Sequence, residues 1–502
     1  MPNDYIEAAR VYHDVTKHSY TSVRSTPHVL DWNNKPLPYK IYPEVAGLSL
    51  PRDLSLSQMP ALEAIGPEQV EDPGAALDLV ALTRILFSAG GLTRQLRVGG
   101  EMYHFRAAPS AGALYPIEIY VAAADVEGLE AGLYHFSPAD LKLRGLRRGD
   151  WRATLVRAAA MRTSIRTARA VLLMSAMFWR SAWKYRARAY RYCFWDAGTI
   201  LANLTAAARA EGIPTETVTA FVDAELEQLL GIDGEREAPL CIVALGRTAS
   251  ESRQAAQPAP LEIETIALSQ NELSYDDLLK MHRASRLVST AEVSAVASAR
   301  VEPHAPAQSA GAVRPATIAP GEAAGLGETI LRRGSTRGFA REPIGADELA
   351  TILACSSVHP RVDFPPLSDT YMIVNAVEGM EPGAYYYHRE SGSFEMIRGG
   401  DFRGQAGYLC LEQPLGADSS VLLVYMANLE AALRALGNRG YRDAHLEAGI
   451  LGGRAYLAAY ALGRGATGLT FYDDDTAEFF KPHAAGKSAL LMVAIGVPRG
   501  SR

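Results

Sequence analysis

Three arginines fall within six residues in "RRGSTR" (Arg332–Arg337), around Gly334 and Ser335. A guanidinium presents a planar fork of donors, so such a run can hold an anion or a polarised carbonyl. It can also be a solvated basic helix start, the commoner use of such a run. A second stretch, "APSAGALYP" (Ala108–Pro116), leads into the strand-like "IEIYV". Its small residues would let backbone N–H groups approach a flat ligand closely, and Pro109 and Pro116 stiffen the turn. By itself it also reads as an ordinary loop. The 11 histidines show no HExxH or paired ligand spacing, so none is assigned to a metal.

The elements that must position these stretches come from a repeat. "VEGLEAGLYHF" at Val126 and "VEGMEPGAYYY" at Val377 stand 251 residues apart. The same offset relates "RRGDWR" (147–152) to "RGGDFR" (398–403) and "RARAYRYCFWDAG" (186–198) to "GNRGYRDAHLEAG" (437–449). "PLCIVALG" and "LLMVAIG" close the two halves with a one-residue slip. A constant offset over three segments, with a fourth in the same order, implies an internal duplication. Each half reads as a helix, a strand, a hairpin ("GLYHF" with "KLRGL" in the first), a long small-residue helix and a closing strand. That order predicts an α+β unit with a mixed or antiparallel sheet. The expected domains are 1–75 as an N-terminal arm or cap, 76–250, and 326–502. Between the last two lies a connecting segment, 251–325. In it "SYDDLLKMHRASRL" reads as a short helix, and 288–325, dense in Ala, Pro, Ser and Gly, as an extended linker.

A chain of 502 residues exceeds one ordinary core. With 48% hydrophobic and 21% charged residues it reads as soluble and globular. The net charge of −6 gives no reason to expect nucleic acid. Four dispersed cysteines (193, 241, 355 and 410) form no CxxC and indicate neither a disulfide framework nor structural zinc. The start "MPNDYIEAAR" lacks the pattern of a signal peptide, and the most apolar run, "AVLLMSAMFW", is too short to span a bilayer. A cytoplasmic protein without a membrane partner is the expectation.

Taken together, "PSAGALYPIEIY", "GLYHF", "KYRARAYRYCFWDAG", "RRGSTRGF" and "GLTFYDD" resemble the nitroreductase-like flavoproteins. Within them the match is to the SagB-type dehydrogenases, or thiazole/oxazole oxidases. The resemblance covers nearly all of both halves apart from the arm and linker. It implies an α+β fold, two tandem nitroreductase-like domains packed as an intramolecular pseudo-dimer, and flavin mononucleotide (FMN) at the interface. It also implies roles, residue by residue. Arg333, Ser335 and Arg337 match the motif that contacts the flavin pyrimidine edge, ribityl chain or phosphate. Gly468 and Leu469 match a late loop near the isoalloxazine, and Arg499 is a weaker match for a phosphate contact. Pro109, Ser110, Ala111, Gly112 and Leu114 match a loop contributed by the other subunit. Lys184 and Tyr185 match a pair characteristic of SagB-type enzymes, in which a lysine of lowered pKa can act as base and the tyrosine can orient it or relay the proton. Lys184 can alternatively belong to a solvated helix face. Arg191 and Tyr190 recur as Arg442 and Tyr441 and read as structural pins.

Each half lacks what the other keeps. At the offset of 251, Pro109–Gly112 falls on Pro360–Asp363, with Arg361 and Asp363 in place of small residues, and Lys184–Tyr185 falls on Ala435–Leu436. The first half offers "EAIGPEQVED" (63–72) where the second has its arginine motif. One complete flavin site per chain is therefore expected, in a monomer that is itself a pseudo-dimer. The implied activity is oxidation of a C–N, C–S or C–C bond in a small or peptide-derived, modified substrate by hydride transfer to flavin N5. The alternatives are an NAD(P)H-dependent nitroreductase or flavin reductase, a non-catalytic flavin-binding protein, and a peptide-binding partner subunit without FMN.

Overall fold

A computed structural model describes residues 2–25, 28–66, 75–250, 257–302, 313–315 and 323–500. The near-continuous apolar runs Ile117–Ala123 and Ala170–Met177 pair antiparallel and are buried at every position. They form the middle of a seven-stranded sheet in the order Gly47–Ser49, Lys142–Arg148, Gly132–Ser137, Ile117–Ala123, Ala170–Met177, Glu237–Leu245, Thr215–Val218. The second half repeats it in the order Val313–Pro315, Ser393–Gly399, Gly383–His388, Ser368–Val374, Val421–Ala427, Ser488–Gly496, Gly465–Leu469. Every pairing in both sheets is antiparallel. The hairpin read from "GLYHF" and "KLRGL" is formed by Gly132–Ser137 and Lys142–Arg148.

One edge strand of each sheet comes from outside its repeat: Gly47–Ser49 from the N-terminal region, Val313–Pro315 from the connecting segment. Of the stretch 288–325, expected to be extended, Thr290–Ser298 is helical. Ser289 caps it by accepting from Glu292 N–H, and Val293 and Val296 are buried. Residues 303–312 and 316–322 lie outside the described residues. The short helix read from "SYDDLLKMHRASRL" spans Asp276–Ala284. The N-terminal helix Glu7–Val15 spans the domain boundary: Tyr12 donates to the carbonyl of Ala187 (2.7 Å), and Ala9 N–H donates to Asn438 Oδ1 (3.1 Å).

The halves meet along two long helices, Ala189–Ala210 and Arg439–Ala461. Gly198 and Gly449, equivalent in the repeat, touch each other there. A Cβ at Gly198 would lie 2.6 Å from Gly449 Cα and 2.5 Å from the carbonyl of Leu446, so no larger residue allows this approach. Beside the contact, charge is exchanged reciprocally. Asp473 of the second domain accepts from Arg188 (2.9 Å) and Arg191 (2.7 Å) of the first. Asp223 of the first accepts from Arg439 (3.0 Å) and Arg442 (3.2 Å) of the second. Burial alone would raise both carboxyls, but the paired guanidiniums hold both below the ordinary aspartate value. Among the described residues, no helix is long and apolar enough to cross a membrane.

Candidate functional site

A cavity of about 560 Å³ opens at the domain interface. Pro109–Ala113, Lys184 and Tyr185 of the first domain line it, together with Arg333, Ser335, Arg337, Gly468 and Leu469 of the second. Two expected residues lie elsewhere. Leu114 is buried in the core beneath the loop. Arg499 is outside the lining, its backbone N–H bonded to the carbonyl of Gly338 (2.9 Å) and its guanidinium 3.6 Å from Asp418. Of the stretch 63–72, Glu63–Ile65 belong to the short helix Ala61–Ile65, and residues 67–72 lie outside the described residues.

The loop's shape follows from its small residues. Gly112, Ala113 and Tyr115 have φ of +64°, +53° and +49°, the left-handed region that a side chain disfavours. Hydrogen bonds hold it there. Ser110 Oγ accepts from Tyr115 N–H (2.9 Å) and donates to Asp196 Oδ2 (2.5 Å). Asp196 Oδ1 accepts from Ala111 N–H (3.0 Å), and Thr199 donates to the carbonyl of Pro109 (2.8 Å). Asp196 is buried, which pushes its carboxyl up to about 7, although its bonds to Ser110 and Ala111 favour the ionised form.

Lys184 and Tyr185 end the helix Phe178–Tyr185, which breaks where Arg186 turns to φ +51°. Their heads rest against the loop: a Cβ added to Gly112 would lie 2.9 Å from Tyr185 Oη and 3.3 Å from Lys184 Nζ. The Tyr185 ring stacks on Tyr192 at 4.1 Å between centroids. Burial raises the Tyr185 phenol well above its ordinary value, so it stays protonated. Partial burial, then the charge of Arg337, lowers the Lys184 ammonium. A lysine of the first domain is thus made more acidic by an arginine of the second.

Arg333 also crosses the boundary. Its Nε donates to the carbonyl of Ala107 (2.8 Å) and a terminal nitrogen to that of Arg106 (2.7 Å). It therefore ties the start of the arginine motif to the strand entering the loop. The sequence did not single out Tyr192, Trp195, Asp196 and Thr199, which line the cavity from one helix face. Their spacing of three and four residues was the available signal. Also missed was the hairpin Leu92–Val98 and Glu101–Arg106, which contributes Thr93, Arg94 and Phe105; its turn "GG" was the clue.

At the pseudo-symmetric counterpart, the space between the loop and the Gly468 position is closed by contacts between the domains. Thr217 stands where Gly468 does, and its N–H donates to the carbonyl of Arg361 (2.9 Å). Asp363 stands where Gly112 does. Its Oδ1 accepts from Thr219 N–H (2.8 Å) and Thr219 Oγ1 (2.9 Å), and its Oδ2 from Ala220 N–H (3.0 Å).

The Nitroreductase family model matches residues 77–247 and 330–497. A Methanocaldococcus jannaschii protein named as a nitroreductase, MJ1384, is 33% identical over 198 residues, 38% of this chain and 95% of that protein. The trifolitoxin-processing protein TfxB of Rhizobium leguminosarum bv. trifolii is 29% identical over 34% of this chain and 47% of its own length. The microcin B17-processing protein McbC of Escherichia coli is 26% identical over 28% of this chain and 53% of its own. A crystal structure from Anabaena variabilis, named as a nitroreductase, aligns over 98% of this chain and 99% of that one, with a TM-score of 0.78 and 27% identity. With the family pattern present in both halves and the whole architecture shared with a solved relative, the chain belongs to the nitroreductase family of oxidoreductases.

Proposed function

We propose that the protein is a SagB-type, FMN-dependent dehydrogenase with one composite site, which oxidises a C–N, C–S or C–C bond of a small or peptide-derived substrate, the C–C bond of an azoline ring among them. The observation that carries this reading is the meeting, in one cavity, of the first domain's loop and Lys184–Tyr185 pair with the second domain's arginine motif and Gly468. Relatives named as processing proteins of trifolitoxin and microcin B17 support the peptide-derived class.

The residues present fit an anionic, flat cofactor. The volume lies in the range of cofactor pockets. Arg94, Lys184, Arg332, Arg333 and Arg337 line the cavity against a single carboxylate, Asp196. Gly112 and Gly468 add no side chain to the cavity wall. Arg337, Ser335, Gly468 and Leu469 would hold FMN from the second domain, and Pro109–Gly112 from the first. Arg333 would serve mainly by fixing the motif to Ala107 and Arg106. Leu114 backs the loop from the core, and Arg499 is left out of the ligand set because its guanidinium faces Asp418. Bound FMN supplies the acceptor for the substrate hydride. Lys184, in its neutral form, takes the proton from the adjacent carbon, and Tyr185 orients the amine through its hydroxyl.

The test mixes flavin-loaded protein anaerobically with an azoline-containing peptide. Bleaching of the oxidised flavin spectrum that is lost in Lys184→Ala, with flavin retained, is the expected result. Bleaching by NAD(P)H alone, unchanged in Lys184→Ala, would make the protein a nitroreductase or flavin reductase. Bound flavin that neither reduces would make it a binding protein.

A further inference from the structure

Asp196 and Glu447 stand 251 residues apart, at one position of the repeat, and perform the same local task in different surroundings. Glu447 Oε2 accepts from the N–H groups of Leu367 (2.9 Å) and Ser368 (2.6 Å), while Oε1 pairs with His359 Nδ1 (2.9 Å). Burial opposes its charge, but the hydrogen bond and charge of His359 hold this carboxyl below the ordinary glutamate value. In the open half, Ala108 occupies the position of His359. Asp196 therefore binds its loop through Ser110 and Ala111 with no cation paired to it among the described residues.

Resting on the reading of the cavity as the reaction site, we propose that Asp196 is a positioning residue. Through Ser110 and Ala111 it latches the loop on which the heads of Lys184 and Tyr185 rest, and the latch changes state with the protonation of its carboxylate. The ionised carboxylate accepts from both Ser110 Oγ–H and Ala111 N–H. The protonated carboxyl instead donates to Ser110 Oγ, which also accepts from Tyr115 N–H, so the bond reverses, the serine proton turns away, and the loop exchanges two bonds to a charged acceptor for weaker neutral ones. Gly112 follows two residues after Ser110, so any shift of the loop moves the surface against which Tyr185 Oη and Lys184 Nζ pack. The closed half shows the contrasting case: the equivalent carboxylate has a histidine partner, and no lysine–tyrosine pair depends on it.

The other titratable or charged groups around Asp196 are Tyr115 on the loop, Cys193 on its own helix, Tyr185 and Lys184 on the preceding helix, and Arg337 from the second domain. Burial raises Tyr115, Cys193 and Tyr185 away from neutrality. Asp443, elsewhere in the interface, is pushed up to about 7 by burial and then by Asp363, so it titrates in the same range as Asp196. The decisive readout is therefore a difference between the wild type and a variant, in which Asp443 cancels.

The test compares flavin-free wild type with Asp196→Asn, whose amide keeps the acceptor for Ala111 N–H and a fixed donor to Ser110. A carboxyl raised in the folded state binds its proton more tightly there than when unfolded. Its contribution to stability is present below the unfolded value and lost as pH rises through the folded one, so wild type should lose a few degrees of Tm relative to the variant between about pH 4 and pH 7. The amide of Ala111 should exchange with solvent at a rate that depends on pH beyond the intrinsic chemical dependence in wild type but not in the variant. Ser110→Ala, which removes one bond to the ionised form, should move the wild-type transition to higher pH and serves if Asp196→Asn does not fold. Parallel Tm profiles for wild type and both variants would overturn the proposal. With FMN loaded, the pH profile of substrate oxidation should lose one ionisation in Asp196→Asn, whereas a merely structural role would lower the rate at every pH alike. Absence of bound flavin would remove the function proposed above, while the Tm and exchange results would still decide whether the latch exists.

Discussion

Asp363 of the second domain accepts a hydrogen bond from the backbone N–H of Thr219 of the first at 2.8 Å, across the position where its counterpart Gly112 faces an open cavity. One aspartate in place of a glycine thus separates two sites that the duplication made equivalent. Its carboxylate satisfies three donors of the first domain, and Arg162 lies 3.5 Å away. Asp363→Gly should cost about 1–3 kcal/mol of stability by leaving those donors unpaired. It should not raise flavin content, because the first half's sequence carries "EAIGPEQVED" (63–72), without arginine, where the second has its arginine motif. Urea unfolding and flavin quantification check the two parts.

The Lys184–Tyr185 pair should govern chemistry rather than cofactor binding. Lys184→Ala is expected to lower substrate oxidation by about 100- to 10,000-fold with flavin content unchanged, the usual range for loss of a general base. Tyr185→Phe should cost less. Stopped-flow reduction of the flavin-loaded variants measures both.

The pH dependence follows from the charge on Lys184. A base must be neutral to act, so kcat/KM should rise with pH through the lysine's ionisation, at a pH below the ordinary lysine value of 10.5. Arg337 contributes to that lowering, after partial burial. Arg337→Gln, measured at saturating FMN, should move the ascending limb to higher pH. An unmoved limb would separate Arg337 from the base.

Gly112 is expected to be intolerant of even a methyl group. Its φ of +64° strains any side chain, and the new Cβ would lie 2.9 Å from Tyr185 Oη. Gly112→Ala should cost about 1 kcal/mol in backbone strain and displace the pair, lowering kcat by about tenfold or more. A variant with wild-type kcat would show that the pair does not depend on the loop.

The reciprocal ion pairs set the cohesion of the two domains. Asp473→Asn leaves Arg188 and Arg191 buried without their carboxylate. It should destabilise the protein by about 3–5 kcal/mol, as should Asp223→Asn on the other side of the pseudo-two-fold axis. Equilibrium unfolding of the single and double variants reads the effect.

Much of this arrangement was legible in the sequence because a duplication writes itself as a constant offset. The hairpins, the long helices and the opposed losses around Gly112 and Arg333 all follow from aligning the chain with itself. What stayed hidden depends on pairing over long separations. No local pattern says that Arg333 gives two donors to the carbonyls of Ala107 and Arg106, or that 313–315 would add an edge strand to the second sheet. The helix Thr290–Ser298 was masked by an Ala/Ser-rich composition that resembles a linker, and only the burial of Val293 and Val296 against the body gives it a reason to form. Asp196 sat inside a quoted motif, but its importance comes from what it lacks, a counter-ion, and that is a property of the packed interface.

The central claim is one flavin per chain, held between a loop of one domain and the arginine motif of the other. It is tested most directly by the visible absorption spectrum of the purified protein, with the released flavin identified and quantified against protein. The account predicts oxidised-flavin bands and FMN at about one equivalent per chain, reduced to a small fraction by Arg337→Gln or by a bulky residue at Gly112. About two equivalents per chain would contradict the closed second site, and none after incubation with FMN would contradict the composite cofactor site itself.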